Sequence, residues 1–246
     1  MIRADELHKA FGPKQVLRGI SFEVPKGQSL VVIGGSGTGK SVLLKCLLGL
    51  VRADKGSVEV AGLTDPRPHA LAQHVGMLFQ AAALFDSLPV WQNVAFRLMR
   101  GTGRMGRAEG RALAVEKLAR VGLGPEVADL YPAELSGGMQ KRVGLARAIA
   151  GDPPVLFFDE PTAGLDPIMS AVINALIRGI VTEMGATALT ITHDMRTVRD
   201  VADRVAMLHQ GVFHWQGPVA EAFATDDPVM RQFTEGRTEG PIPTLS

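Results

Sequence analysis

Two patterns of apolar and polar residues divide the chain. Residues 15–22 alternate between apolar and polar and lead into the turn sequence Pro25-Lys26-Gly27, which predicts a strand with one exposed face. Residues 29–33 are continuously apolar after Ser29, which is typical of a buried strand. The same criteria predict further strands at residues 57–61, 155–158, 187–192 and 204–208.

Helical periodicity dominates the middle of the chain. Residues 90–99 follow Pro89, which suits the first position of a helix, and residues 107–121 stop at Gly122, a residue type common after helix ends. The same period predicts helices at residues 41–50, 136–150 and 167–184. Residues 209–211 predict a hairpin turn, and residues 235–246, rich in Gly, Pro and Thr, predict an irregular tail.

Strands and helices alternate toward both ends of the chain, and a mainly helical stretch separates the two parts. Such alternation is typical of an α/β fold with a mainly parallel sheet. We therefore expect one domain over residues 1–246. Its predicted parts are a core at residues 1–88 and 151–218, an inserted helical subdomain at 89–150, and a C-terminal helix and tail at 219–246.

Composition narrows the range of partners. The 26 basic and 25 acidic residues give a net charge of +1, so nothing attracts nucleic acid in general and no nucleic-acid partner is expected. Cys46, the single cysteine, excludes an internal disulfide and fits a reducing compartment. We see no apolar run of the roughly 20 residues that cross a bilayer and no signal-peptide pattern, so a cytoplasmic location is expected.

Residues 34–41, called the phosphate loop below, fit the pattern G-x-x-x-x-G-K-[ST] between a predicted strand and a predicted helix. Glycines let successive N–H groups point at phosphate oxygens, and the helix that follows adds the positive end of its dipole. Lys40 is expected to hold the β- and γ-phosphates of ATP, and the Ser41 hydroxyl to bind Mg²⁺. A chance glycine-rich turn is the alternative, but it would not need this strand and helix. The predicted ATP-binding residues are Gly34, Gly35, Ser36, Gly37, Thr38, Gly39, Lys40 and Ser41.

Polar residues follow two other predicted strands. Asp159 and Glu160 come directly after residues 155–158, at the edge where parallel sheets bind ligands. We expect Asp159 to contact Mg²⁺ directly or through water, and Glu160 to orient and polarise the attacking water. A solvated strand end is the alternative, and it would be preferred without the phosphate loop. His193, after residues 187–192, could hydrogen-bond the γ-phosphate, so Lys40, Glu160 and His193 are the predicted catalytic residues.

A second predicted helix begins at an anion-binding terminus. Ser136 is a good N-cap, and Gly137 and Gly138 leave the backbone exposed at the start of the helix. One chain has no obvious need of two such termini for one triphosphate. A dimer would need both, if each chain closed this second site over the ATP of its partner.

The stretch Leu135-Ser136-Gly137-Gly138-Met139 resembles the signature motif of the ATP-binding cassette (ABC) family. The order phosphate loop, Gln80, signature, Asp159-Glu160, Asp166, His193 is similar to that family over nearly the whole chain. The resemblance implies a P-loop NTPase cassette with an N-terminal antiparallel β subdomain and an ATP-sandwich dimer in which residues 136–138 bind the partner's ATP. By the same resemblance Gln80 contacts Mg²⁺ and ATP and faces a membrane permease, Asp166 lies at the dimer seam, and Phe11 stacks on adenine. From its residue type alone, Phe11 could equally be a core residue.

The resemblance extends to a group of transporters. ABC proteins of chromosome structure and repair usually place a long coiled coil between phosphate loop and signature, and translation-factor cassettes usually occur in pairs. Neither pattern is present here. Four segments are instead similar to the Mla-type phospholipid-transport ATPases that act with MCE proteins: residues 83–94, 128–134, 227–233 and 240–242.

That similarity implies phospholipid transport between inner and outer membranes, through a permease and an MCE-domain protein, from the cytoplasmic face of the inner membrane. It also implies a C-terminal tail that grips the opposite protomer. Leu84, Phe85 and Leu88 could instead be core or general coupling residues, which leaves an importer of amino acids or other small polar solutes as the alternative.

Overall fold

The computed structural model describes residues 1–100 and 104–243. Residues 101–103, within the predicted helical subdomain, and 244–246, at the end of the predicted tail, lie outside the described residues. The strands are β1 (Ile2–Phe11), β2 (Lys14–Val24), β3 (Ser29–Ile33), β4 (Lys55–Val60), β5 (Leu63–Thr64), β6 (Val75–Leu78), β7 (Val155–Asp159), β8 (Thr187–Ile191), β9 (Arg204–His209) and β10 (Val212–Pro218).

The helices lie between these strands and at the C-terminal end of the described chain. They are α1 (Lys40–Leu47), α2 (Pro68–Leu71), α3 (Val90–Ala95), α4 (Arg107–Arg120), α5 (Gly137–Ala148), α6 (Pro167–Met184), α7 (Met195–Val201), α8 (Val219–Ala222) and α9 (Pro228–Glu235). Two short 3-10 turns, Pro125–Asp129 and Pro132–Glu134, connect α4 to α5.

The strands form two sheets. The six-stranded sheet has the order β10-β9-β3-β8-β7-β6 and is parallel except for β10, which pairs antiparallel with β9. The four-stranded sheet has the order β2-β1-β4-β5 and is antiparallel. Helices α3, α4 and α5 are inserted between β6 and β7. The predicted α/β class, with a mainly parallel core, an antiparallel N-terminal sheet and a helical insertion, is confirmed.

The parallel sheet is buried on both faces, which explains its continuous apolar runs. Leu30 and Val32 of β3 face a core that also contains α1 and the antiparallel sheet. Val31 and Ile33 face the opposite core, which contains the inserted helices and α6. Since β3, β7 and β8 run in the same direction, their carboxyl ends meet at one edge, where the phosphate loop, Asp159 and His193 follow.

Several element boundaries differ from the predicted ones. Helix α1 ends at Leu47 rather than at residue 50, because Gly49 adopts φ 68° where a Cβ would lie 2.1 Å from the carbonyl oxygen of Pro66. Pro89 is the N-cap of α3 rather than its first residue. The helix ends at Ala95 rather than at residue 99, and residues 96–99 form turns. Strand β1 escaped prediction because Glu6, at φ 45°, breaks the alternation and shifts the pairing register.

Within the described residues, α6 is the one helix long and apolar enough to span a membrane by length and composition, with mean hydropathy 1.3 over 18 residues. It connects the parallel strands β7 and β8 and buries Ile173, Ile177 and Ile180 in the core. This is the position of a crossover helix in an α/β sheet, which accounts for its apolar character.

Candidate active site

A cavity of about 710 Å³ opens at the carboxyl edge of the parallel sheet. It brings together ten of the residues predicted from the sequence and adds a group from the C-terminal segment. Thr38 lines a neighbouring cavity, while Gly39, Phe11 and residues 136–138 line neither. The cavity is lined by Gly34, Gly35, Ser36, Gly37, Lys40, Ser41, Gln80, Asp159, Glu160, Ile191, His193, Gln232, Phe233, Gly236, Arg237 and Ile242.

The phosphate loop has a conformation that needs glycine. Gly34 has φ 151°, and a Cβ there would lie 2.3 Å from the carbonyl oxygen of Leu208 on the neighbouring strand. Lys40 Nζ donates hydrogen bonds to the carbonyl oxygens of Gly34 and Gly35, at 2.7 and 2.9 Å. Burial lowers the pKa of Lys40, against the opposing effect of Glu160 and Asp159. The loop therefore holds a half-buried lysine at the start of α1, a combination suited to binding phosphate.

Asp159 and Glu160 differ in environment although they are neighbours. Burial, and then the adjacent Glu160 charge, raises the pKa of Asp159. Glu160 has φ 46°, a left-handed conformation rarely used by such a residue, and its N–H donates to the carbonyl oxygen of Ile191 at 2.8 Å. Residues held in this region cost about 1–3 kcal/mol each and cluster at active sites. Glu160 lines the cavity beside Asp159.

The Glu160 carboxylate is held by two side chains from the end of β8. His193 Nδ1 lies 2.9 Å from Glu160 Oε1, and Thr192 Oγ1 donates to Oε2 at 3.3 Å. The His193 side chain is 68% exposed, whereas that of Glu160 is 14% exposed, so the imidazole lies on the solvent side of the acid. A carboxylate fixed in this way, facing a phosphate loop, can accept a proton from water.

The described residues contain no group of three or more His, Cys, Asp or Glu side chains able to hold a metal ion by themselves. The oxygen donors of Ser41 and Asp159 do line the same cavity and suit Mg²⁺ shared with phosphates. The Gln80 side chain is exposed and also lines the cavity, which fits its predicted contact with ATP and metal. These three residues remain the predicted metal ligands.

The signature helix begins away from this cavity. Ser136 is the N-cap of α5, and its Oγ accepts a hydrogen bond from the Met139 N–H at 3.3 Å. A Cβ on the exposed Gly137 would meet no atom within 4 Å, whereas one on Gly138 would lie 2.7 Å from Met169 Cε. A side chain at position 138 would have to displace the end of Met169, whereas Gly137 leaves open space in front of the helix.

Two other predicted residues lie outside the cavity. Phe11, at the end of β1, is 51% exposed with the Lys9 ammonium 5.3 Å from its ring centre, so it is not a core residue. Its stacking on adenine stays a prediction. Asp166 is the N-cap of α6, where Oδ1 accepts from Ile168 and Met169 N–H groups at 2.9 and 3.0 Å. Its position at a dimer seam also stays a prediction.

The C-terminal segment lines the cavity of its own chain, which the sequence patterns did not predict. The buried Gln232 side chain donates to the carbonyl oxygen of Ile242 at 3.0 Å and accepts from its N–H at 2.7 Å. Gly236 and Arg237 are thereby held on the cavity wall. No local pattern links residues about 200 positions away from the phosphate loop. A grip on the opposite protomer stays a prediction.

Comparison with known proteins places this geometry in a family. A family model described as ABC transporter matches residues 17–163. The TRIGALACTOSYLDIACYLGLYCEROL 3 protein of Arabidopsis thaliana is 40% identical, over 98% of this chain and 75% of its own length. The probable ribonucleotide transport ATP-binding protein mkl of Mycobacterium bovis is also 40% identical, over 98% and 68%. The methionine import ATP-binding protein MetN of Mesorhizobium japonicum is 43% identical, over 91% and 62%.

Solved structures agree with the sequence relatives. A dimeric ATP-binding cassette in a post-hydrolysis state, bound to ADP and Pi, superposes with a TM-score of 0.80 at 28% identity, covering 89% of this chain and 99% of that one. The cbiO1 protein of Clostridium perfringens, part of the transporter complex cbiONQ, superposes with a TM-score of 0.82 at 29% identity, covering 94% and 93%. The chain therefore belongs to the ABC transporter family, and it is an ATP-binding cassette that hydrolyses ATP.

Proposed function

We propose that two copies of this chain form a dimer that encloses two ATP molecules. Each ATP lies between the phosphate loop of one copy and residues 136–138 of the other. One observation carries the proposal: Ser136 and Gly137 are exposed at a helix N-terminus, yet they do not line the cavity of their own chain. The similarity to a dimeric cassette bound to ADP and Pi supports the dimer.

The residues of the cavity then have distinct roles. Lys40 binds the β- and γ-phosphates, and Glu160 accepts a proton from the attacking water while His193 and Thr192 hold its carboxylate. Ser41, Asp159 and Gln80 would hold Mg²⁺, which would supply positive charge to the phosphate groups of ATP. Loss of the γ-phosphate removes the anion shared by the two copies, so the dimer opens.

We further propose that this dimer drives a permease of phospholipid transport at the cytoplasmic face of an inner membrane, with an MCE-domain protein as partner. The Arabidopsis relative carries the name of a glycolipid and matches 98% of the chain, against 91% for the methionine importer. The exposed rings of Phe79 and Phe85, on either side of Gln80, support a permease contact at this groove. Apolar groups of this kind suit a protein interface.

The alternative is the ATPase subunit of an importer for amino acids or other small polar solutes. It is favoured by the 43% identity to the methionine import protein, the higher identity of the two. The relative named for ribonucleotide transport also carries a polar solute in its name. The cavity is lined by the proposed ATP-binding residues and gives no information about the transported molecule. The transported molecule must therefore be identified from the membrane partner.

Partner capture separates the two functions. A tagged Glu160→Gln chain, which should keep ATP bound, is purified from detergent-solubilised membranes, and the proteins and lipids that copurify are identified by mass spectrometry. The lipid function predicts a permease, an MCE-domain protein and enriched phospholipid. A permease with a soluble solute-binding protein and no enriched lipid would favour the importer, and the absence of any membrane protein would contradict both.

A further inference from the structure

Lys141 is a buried lysine of the signature helix that the ATP-site motifs do not include. It lies in the second turn of α5 and is only 5% exposed. Its Nζ donates a short hydrogen bond to the main-chain oxygen of Gln80, and another, at 3.3 Å, to the main-chain oxygen of Glu160. One ammonium group therefore joins the helix to two loops of the active site.

Both loops have unusual backbones at this contact. Glu160 adopts φ 46°, and its carbonyl oxygen also accepts from the Ala163 N–H at 3.1 Å. After Gln80, Ala82 and Ala83 adopt φ 56° and 50°. Arg147, on the same helix, donates to the carbonyl oxygens of Ala82 and Ala83 at 2.5 and 2.7 Å. Such conformations persist only where surrounding contacts hold them, and α5 supplies those contacts.

The environment of the Lys141 ammonium combines burial with two nearby carboxylates. Burial lowers the pKa of Lys141, but Glu160 and Asp159 act to raise it. A hydrogen bond from a charged donor is roughly twice as strong as one between neutral groups. Removing the ammonium would leave two main-chain oxygens without this donor in a buried place.

We propose that Lys141 is a positioning residue that fixes the backbone of Glu160 and of Gln80 relative to the signature helix. It contacts these residues through their main-chain oxygens, so it acts on catalysis through the placement of Glu160. Any displacement of α5 is thereby transmitted to the catalytic glutamate and to the permease-facing Gln80 together. The proposal rests on the catalytic role proposed above for Glu160.

The test compares Lys141→Met with Lys117→Met. Lys117 is a matched control, because it is also a buried lysine of the inserted helices, 3% exposed, but its Nζ binds the Asp152 carboxylate at 2.8 and 2.9 Å. We expect Lys141→Met to lower kcat about tenfold or more, the scale of a catalytic group displaced by less than 1 Å. The ATP dissociation constant should change less than about twofold, because phosphate contacts are retained.

Lys141→Arg and Lys141→Gln keep the experiment decisive if the methionine variant does not fold. Arg, which retains charge and donors, should recover most of kcat, and Gln, a shorter neutral donor, should recover less. If Lys141 had a purely structural role, Lys141→Met and Lys117→Met would both lower thermal stability, and the two variants would have the same kcat. That result, or a loss confined to ATP affinity, would overturn the proposal.

Hydrogen–deuterium exchange provides a readout that does not depend on the chemistry of Glu160. In Lys141→Met, the peptide containing residues 160–165 should exchange faster, since the Ala163 N–H bonds to the released carbonyl group. Lys117→Met should leave that peptide unchanged. Unchanged exchange of this peptide in Lys141→Met would contradict the positioning role of Lys141. Full activity of Glu160→Gln would instead reject the proposed role of Glu160 and leave the exchange result intact.

Discussion

Two helix N-termini of this molecule, those of α1 and α5, differ in what surrounds them. Helix α1 begins inside the cavity, where Lys40 and the acids of β7 lie around the phosphate loop. Helix α5 begins at the surface, with a capping serine and Gly137, whose open side meets no atom of its own chain. Both termini present N–H groups and a positive dipole end, but only that of α1 has Lys40 and the carboxylates of Asp159 and Glu160 beside it.

The difference fits the proposal that one chain supplies both parts of a shared site. In this proposal, the residues around the α1 terminus bind phosphate, hold a metal and activate water. The α5 terminus has the dipole and the exposed backbone but lacks the chemistry, so it needs an anion brought by another molecule. We therefore expect substitutions at the α1 terminus to change ATP binding or hydrolysis within each protomer. Substitutions at the α5 terminus should instead change the function of the dimer.

The largest effect is expected from Glu160→Gln. The amide cannot accept the proton of the attacking water, so hydrolysis should fall about 10²–10⁴-fold. ATP binding should remain, because the phosphate contacts are made by other residues. Phosphate release and ATP binding by calorimetry measure the two quantities, with the exposed Glu109→Gln of α4 as control. Rapid turnover by Glu160→Gln would contradict the assignment of this residue.

Lys40→Ala should weaken ATP binding in the isolated protomer. Loss of a charged hydrogen-bond donor costs about 1.5–3 kcal/mol, which corresponds to roughly 10- to 150-fold in the dissociation constant. Lys45→Ala, in the last turn of the same helix, removes a charge without touching the cavity and should bind ATP normally. Equal losses in the two variants would mean that Lys40 acts only through general charge.

Gly137→Asp tests the other terminus. An acid in the first turn suits the dipole of α5 itself, but it would repel the triphosphate of a partner. We expect the ATP affinity of the protomer to be unchanged and hydrolysis to fall about tenfold, a coupling of roughly 1.4 kcal/mol. Gly106→Asp adds the same charge at the N-cap of α4, where a Cβ also meets no atom. Normal hydrolysis by Gly137→Asp would argue against a shared site.

The smallest effect concerns stability. The raised pKa of Asp159 means that the folded state holds this proton more tightly than the unfolded chain. Its charged form therefore destabilises the fold, and stability decreases as pH rises from the unfolded value of about 3.9 through the folded pKa. Asp159→Asn should raise the melting temperature at pH 7 by about 2–4 °C, the equivalent of roughly 1 kcal/mol.

Calorimetric melting at several pH values checks this sign. The gain from Asp159→Asn should shrink toward acid pH, because both states of the original chain then carry the proton. A constant gain at every pH, or a loss at pH 7, would contradict the burial of a charge at this position. Hydrolysis should fall in the same variant, since a neutral amide is a poorer ligand for Mg²⁺.

The sequence predicted the parts of the site that are local in the chain. The phosphate loop and residues 155–160 combine a strand pattern with a short motif, so the placement of Lys40 and Glu160 in one cavity could be expected from parallel strand ends. The hydrogen bond between His193 and Glu160 could not be predicted, because it depends on the register of β7 against β8. Strand β1 escaped prediction because one left-handed residue, Glu6, interrupts its pattern.

The features that the sequence did not predict depend on contacts between distant parts of the chain. Lys141 resembles an ordinary helical lysine in the sequence, and only the fold brings its ammonium against Gln80 and Glu160. The tail contact between Gln232 and Ile242 likewise depends on where α9 packs. Polar residues in a tail give no pattern from which a position on the cavity wall can be predicted.

The most direct test of the shared site is the mass of the Glu160→Gln chain in solution, measured by light scattering with and without ATP and Mg²⁺. We expect a protomer without nucleotide and a dimer with ATP, and we expect the added Gly137→Asp change to prevent the dimer while ATP still binds. A Glu160→Gln chain that binds ATP at saturation and remains a single protomer would contradict the division of the site between two copies.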